Sequence, residues 1–166
     1  MRLVSLTLRN YRNYARLQIE LQPQLNLFLG QNAQGKTNLL ESIAILALSA
    51  SPRSRRESDL IGPLAAEAAV EAVIEKGARR LEIAVKVEQA TERTVKTIRV
   101  DGSARRAVDL PGEVQATLFW PEDLNLVKGG PDHRRRFLTR CWSRWSGATV
   151  GRWPPIAGCS SSETAS

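Results

Sequence analysis

Apolar residues alternate with polar ones at Val4, Leu6 and Leu8 and again at Leu17, Ile19 and Leu21, a period of two that predicts two strands. A third apolar run follows Pro23: Leu25, Leu27 and Leu29, with Phe28 between them, read as a buried strand. The period then changes. Leu39, Leu40, Ile43, Leu46 and Ala47 recur at helical spacing, so residues 36–48 predict a helix. It should end near Ser51-Pro52, because the residue before a proline avoids the helical region. Arg53, Arg55 and Arg56 then make a basic, exposed loop. Period two returns at Val70, Ala72 and Ile74, at Leu81, Ile83, Val85 and Val87, and at Val95, Ile98 and Val100, which predicts antiparallel strands. Lys76-Gly77 marks one turn, and Asp101-Gly102 a hairpin, since both central positions of a type I′ turn need positive φ. The next strand starts near Ala104. Leu110 to Glu113 can start a short helix, residues 116–120 read as a buried strand ending at Pro121, and residues 132–140 are helix-compatible.

Between the third apolar run and the helix lies Gly30-Gln31-Asn32-Ala33-Gln34-Gly35-Lys36-Thr37, a Gly-x-x-x-x-Gly-Lys-Thr loop. Each residue type has a task in binding the phosphates of a nucleoside triphosphate. Gly30 and Gly35 let the backbone turn tightly, so that successive N–H groups point at the phosphates. Lys36 sets a cation against the β- and γ-phosphates, the Thr37 hydroxyl can ligate Mg²⁺, and the helix aims its positive end at the anion. Ala33 suits the loop if its φ is negative. The bland alternative is a glycine-containing turn between strand and helix.

Composition bounds this picture. A chain of 166 residues with 42% apolar and 25% charged positions is an ordinary globular chain of one lobe. Residues 43–48, the longest strongly apolar stretch, fall far short of a bilayer span, and the alternating first eight residues do not resemble a signal peptide, so a cytoplasmic location is expected. The net charge of +7 fits a polyanionic partner such as DNA, although a solvated basic face gives the same number. Aromatics at 5% do not supply a stacking platform for bases, so backbone contact is the expected mode. Arg134, Arg135, Arg136 and Arg140 cluster as candidate phosphate contacts. Cys141 and Cys159 form no metal pattern, and His133 reads as a surface residue.

Several stretches resemble one family in order and spacing. They are Leu8-Arg9-Asn10-Tyr11-Arg12-Asn13-Tyr14, the loop from Gly30 through Glu41, and Phe119-Trp120-Pro121-Glu122-Asp123-Leu124-Asn125-Leu126-Val127-Lys128-Gly129, followed by Arg134-Arg135-Arg136-Phe137-Leu138. The family is the RecF family of bacterial recombinational DNA repair. The resemblance implies an α/β fold: a P-loop, ABC-ATPase-like lobe with a mixed sheet and an antiparallel β subdomain, over residues 1–140, with the C-terminal part of the head missing. It implies ATP and Mg²⁺ as ligands, an ATP-dependent homodimer that clamps DNA near single-strand gaps, RecR and RecO as partners in loading RecA, and a place in replication restart and the SOS response. Arg12 and Asn13 lie where related heads approach the nucleotide, and Glu122 and Asp123 occupy roughly the place of a glutamine loop. The family's signature motif and Walker B acids belong to its second half. No apolar run ending in paired acids follows residue 120, so this stretch is expected to bind ATP without hydrolysing it alone.

After Arg140 the composition shifts. Trp142, Trp145, Trp153 and both cysteines fall there, and apolar periodicity is lost. Back-translation permits a helix-forming sequence in another frame, so residues 141–166 are expected to be a frameshifted, disordered tail. Two rivals use the same features: a nucleotide or small-molecule kinase built on the same loop, and a non-catalytic DNA-binding module. The three strands before the loop and the β-rich segment after it disfavour the kinase.

Overall fold

Strands β1 (Arg2–Tyr11) and β2 (Tyr14–Glu20) form a hairpin, and β1 pairs on its other side with β3 (Glu67–Lys76). Strands β4 (Arg79–Gln89), β5 (Thr94–Val100) and β6 (Ser103–Arg105) continue a six-stranded antiparallel sheet in the order β2-β1-β3-β4-β5-β6. The computed structural model describes residues 1–90, 93–110, 113–132, 134, 135 and 138, in two units, Met1–Pro121 and Glu122–Ser166.

The period of two becomes two chemically distinct faces. Register places Ile19, Leu6, Ala72, Ile83 and Val100 in one row across five strands, while the adjacent row runs Gln18, Thr7, Glu71, Ala84 and Arg99. A one-residue slip would exchange the rows, so burial of the apolar face fixes the pairing. Helix α1 (Lys36–Leu48) belongs to that face: its Leu39, Ile45, Leu46 and Ala47 join the buried cluster of Leu6, Leu8, Val70, Ile74, Leu81 and Ile83.

Turn chemistry follows the sequence closely. Asp101 (φ 50°) and Gly102 (φ 76°) both take positive φ between the paired Val100 and Ser103, as a type I′ turn requires. Gly77 (φ 64°) lies in the turn between Lys76 and Arg79. A three-residue 3₁₀ turn (Ala107–Asp109) stands just before the expected short helix, and Leu110 is fully buried.

Two expected strands are not strands. Residues 25–29 join no ladder, and Leu25, Leu27 and Leu29 are 79%, 73% and 82% exposed. Only Phe28 packs against the core. Pro23 interrupts the chain, and the Asn26 side chain closes a local loop, accepting from the Gln22 N–H (2.8 Å) and donating to its carbonyl (2.9 Å). Residues 116–120 are likewise outside any ladder, with Trp120 buried but Phe119 73% exposed. An apolar extended run becomes a strand only where a neighbour offers a ladder, and among the described residues none does. The sheet is therefore antiparallel throughout. The described residues supply the antiparallel layer and α1 of the expected lobe, and the segment that would make the sheet mixed stands apart.

In the second unit, a 3₁₀ turn (Pro121–Leu124) leads into a one-turn helix, α2 (Asn125–Lys128). Pro131, Asp132, Arg134, Arg135 and Leu138 are helical. His133, Arg136, Arg140, both cysteines and the tail at 141–166 lie outside the described residues. No helix among those described is long and apolar enough to cross a membrane.

The contrast between the two kinds of apolar position is measurable. Ile83→Ala should lower stability by about 2–5 kcal/mol, as truncation of a buried side chain does, while Leu27→Ser should change it by less than about 0.5 kcal/mol. Equal losses in chemical denaturation would show that Leu27 is buried after all.

Candidate nucleotide site

The phosphate loop runs directly into α1. Gly35 (φ 101°) is the residue ahead of the helix, no side chain caps it, and the first helical bond is Leu39 N–H to the Gly35 carbonyl at 2.9 Å. The N–H groups of the first turn are thus left for an anion, and the helix dipole favours negative charge there. Lys36 Nζ donates to the carbonyls of Gly30 and Gln31, each at 2.6 Å, so the ammonium is held across the loop. Thr37 stands beside it, next along the helix. These groups fit a polyphosphate: uncapped N–H donors, one cation, and a hydroxyl suited to a divalent ion. Among the described residues no group of three His, Cys, Asp or Glu could hold a metal.

The expectation for Ala33 is corrected. Its φ is +65°, a left-handed conformation, because the loop reverses direction at this point. A Cβ costs roughly 1–2 kcal/mol in that region.

Asn13 braces the loop from the β1–β2 turn. Its Nδ2 donates to the Gln34 carbonyl (3.2 Å), its Oδ1 accepts from Asn38 Nδ2 (2.9 Å), and an added Cβ on Gly35 would stand 2.5 Å from Asn13 Nδ2. Glycine at 35 is thus favoured by its φ, and any Cβ there would also push the Asn13 amide out of its hydrogen bonds.

Beneath Asn13 lies a buried ion pair. Glu41 has 0% exposure, and Arg12 grips both its oxygens, Nε to Oε2 at 3.0 Å and Nη2 to Oε1 at 2.8 Å. Ser51 Oγ donates to Glu41 Oε1 at 2.5 Å, and Arg53 Nη1 lies 3.8 Å from Oε2. Burial opposes ionisation of Glu41, but the hydrogen bonds from Arg12 and Ser51 outweigh it and hold the carboxyl below its ordinary range. The Tyr11 hydroxyl is buried in the field of this carboxylate without a well-formed hydrogen bond, and burial, followed by the charge on Glu41, pushes its ionisation far upward. Arg12 itself has φ 53°, and its N–H donates to the Leu60 carbonyl at 2.9 Å.

A family model described as an AAA domain matches residues 5–127. The DNA replication and repair protein RecF of Enterococcus faecalis is 43% identical over 138 residues, covering 83% of this chain and 36% of that protein. RecF of Halalkalibacterium halodurans is 42% identical over 139 residues, with the same coverage. A solved structure of the recombination mediator protein RecF with ATP, in the RecFOR pathway, superposes with a TM-score of 0.78 at 29% identity, covering 86% of this chain and 38% of that one. The chain belongs to the RecF family of AAA-domain proteins. It spans about a third of the length of the curated RecF proteins it matches. The SMC head domain of Thermotoga maritima, at TM-score 0.60 and 20% identity, covering 78% of this chain and 52% of that one, shares the fold.

In this RecF-family lobe Gly30, Gln31, Asn32, Ala33, Gln34 and Gly35 form one continuous loop, and Lys36 and Thr37 open the helix that follows it. The basic cluster is in the second unit, where Arg134 and Arg135 are exposed and Arg135 lies 3.9 Å from Asp132. Sequence reasoning missed Glu41, Ser51 and Asn38 as functional positions. A signal existed: α1 buries residues nearly all round, so a glutamate within it must find a cation.

Arg12→Ala should cost about 3–5 kcal/mol, because it strips a buried carboxylate of its bidentate partner and leaves only the more distant Arg53, and Arg12→Met with Glu41→Gln should recover much of that loss in urea melts. Because the folded carboxyl ionises below its unfolded value, the contribution of Glu41 is full above the unfolded pKa of roughly 4.3 and is lost as pH falls through the folded value. Glu41→Gln should remove that part of the acid dependence. Ala33→Gly should raise stability by about 1 kcal/mol, by thermal melting, if the left-handed backbone at residue 33 is strained.

Proposed function

We propose that this chain is the ATP-binding lobe of a RecF-type DNA repair protein. In that role it holds ATP at Gly30 to Thr37, with Lys36 on the phosphates and Thr37 as a ligand of Mg²⁺. The observation that carries the reading is the Lys36 ammonium spanning the loop carbonyls at 2.6 Å, beside a helix N-terminus that no side chain caps. Phosphates at that mouth replace the carbonyls as partners of Lys36 and supply acceptors to the free N–H groups.

Working in the cytoplasm, the complete protein would engage DNA at single-strand gaps, dimerise on ATP, and act with RecR and RecO in RecA loading. The identity to RecF proteins over 83% of the chain supports this. Residues 1–140 are proposed as the lobe itself and residues 141–166 as a frameshifted tail, which resequencing of the coding DNA would decide by showing or failing to show an open frame that continues the family pattern.

Lys36→Ala should weaken binding of a fluorescent ATP analogue at least tenfold while leaving the melting temperature within a few degrees. Unchanged affinity would refute the nucleotide site.

A further inference from the structure

The loop after α1 is tied to the nucleotide site at one end and pinned by polar side chains at the other. Arg53 Nη1 donates to Asn38 Oδ1 (3.0 Å), and Asn38 Nδ2 donates to Asn13 Oδ1, which reaches the phosphate loop through the Gln34 carbonyl. The backbone is pinned as well: Ser51 Oγ accepts from the N–H groups of Arg53 (3.1 Å) and Ser54 (2.9 Å) while donating to Glu41. At the far side Ser54 bonds to Asp59, and Lys96 pairs with Glu57. Arg55 and Arg56, between these anchors, are exposed, and no ion pair involves them among the described residues.

An arginine loop held rigid at both ends, with two uncommitted guanidinium groups, is a preformed contact for phosphate oxygens. The scarcity of aromatic residues argues for the duplex backbone over splayed bases. We propose that Arg55 and Arg56 contact the phosphate backbone of duplex DNA, and that the Arg53–Asn38–Asn13 hydrogen-bond chain couples this contact to occupancy of the phosphate loop. The proposal rests on the ATP and DNA reading above and adds a surface and a relay to it. When phosphates engage the loop at Gln34 and Lys36, Asn13 and Asn38 are the polar path by which the base of the arginine loop senses the change.

Fluorescence anisotropy with a labelled duplex, with and without saturating Mg-ATP, over a salt series, tests both parts. Arg55→Ala with Arg56→Ala should lower DNA affinity about tenfold with or without ATP. It should also reduce the slope of log K against log salt by roughly 1.8, as loss of two phosphate contacts does, and leave binding of the ATP analogue unchanged. Asn38→Ala and, separately, Arg53→Gln should each abolish the ATP-dependent increment in DNA affinity at Mg-ATP concentrations that the ATP analogue shows to saturate that variant. A double variant with the native salt slope overturns the surface, and an increment that survives both relay variants overturns the coupling. Failure of the native chain to bind the ATP analogue or the duplex would instead refute the functional reading itself, so the two failures are distinguishable.

Discussion

Glu41 is a carboxylate with no access to water, and much of the site is arranged to make it tolerable. An ionised group in that position needs a geometrically matched cation and its lone pairs filled, which Arg12 and Ser51 provide from two different segments. Satisfying it draws the β1–β2 turn onto α1 and fixes the entry to the arginine loop. Asn13, which braces the phosphate loop, follows Arg12 in the chain, and Asn38, which holds Asn13, is bonded to Arg53 beside the same carboxylate. The loop's shape is therefore set by a charge buried one helical turn beyond Lys36 and Thr37, rather than by its glycines alone.

The sheet makes a different kind of contribution. Its apolar row is built from ordinary β-branched and leucine side chains, and it gives α1 a flat surface to bury against. Its opposite face carries compensating charges, such as Arg9 with Glu71 and Lys86 with Glu67 and Glu88, exposed pairs that contribute little stability but keep the face soluble. Function and stability are thus divided between the edge where the hairpin turn meets the helix and the broad middle of the sheet.

Much of this was legible from residue order. The helix bounds, Lys36–Leu48, follow from a change of period between a phosphate-loop lysine and Ser51-Pro52, both of which are local signals. The turn at Asp101-Gly102 was legible because only a few residues accept positive φ. Residues 25–29 and 116–120 were misread because periodicity reports an extended apolar run but not whether another strand lies beside it. Ala33 was misread because small size says nothing about the sign of φ. The Arg12–Glu41 pair was hidden for a related reason: its partners are separated in sequence and meet only once the helix has docked.

The leucine stripe at 25–29 bears on the life of the polypeptide in a cell. From Leu21 to Gly35 the sequence holds no charged residue, so the net positive charge that keeps copies apart elsewhere does not protect this stretch. Extended, uncharged and leucine-rich, it has the features that holdase chaperones and quality-control proteases bind, and that let chains stack into aggregates. An exposed stripe of this kind is therefore a liability separate from the free energy of the folded core, because it is on the surface even when the core is intact.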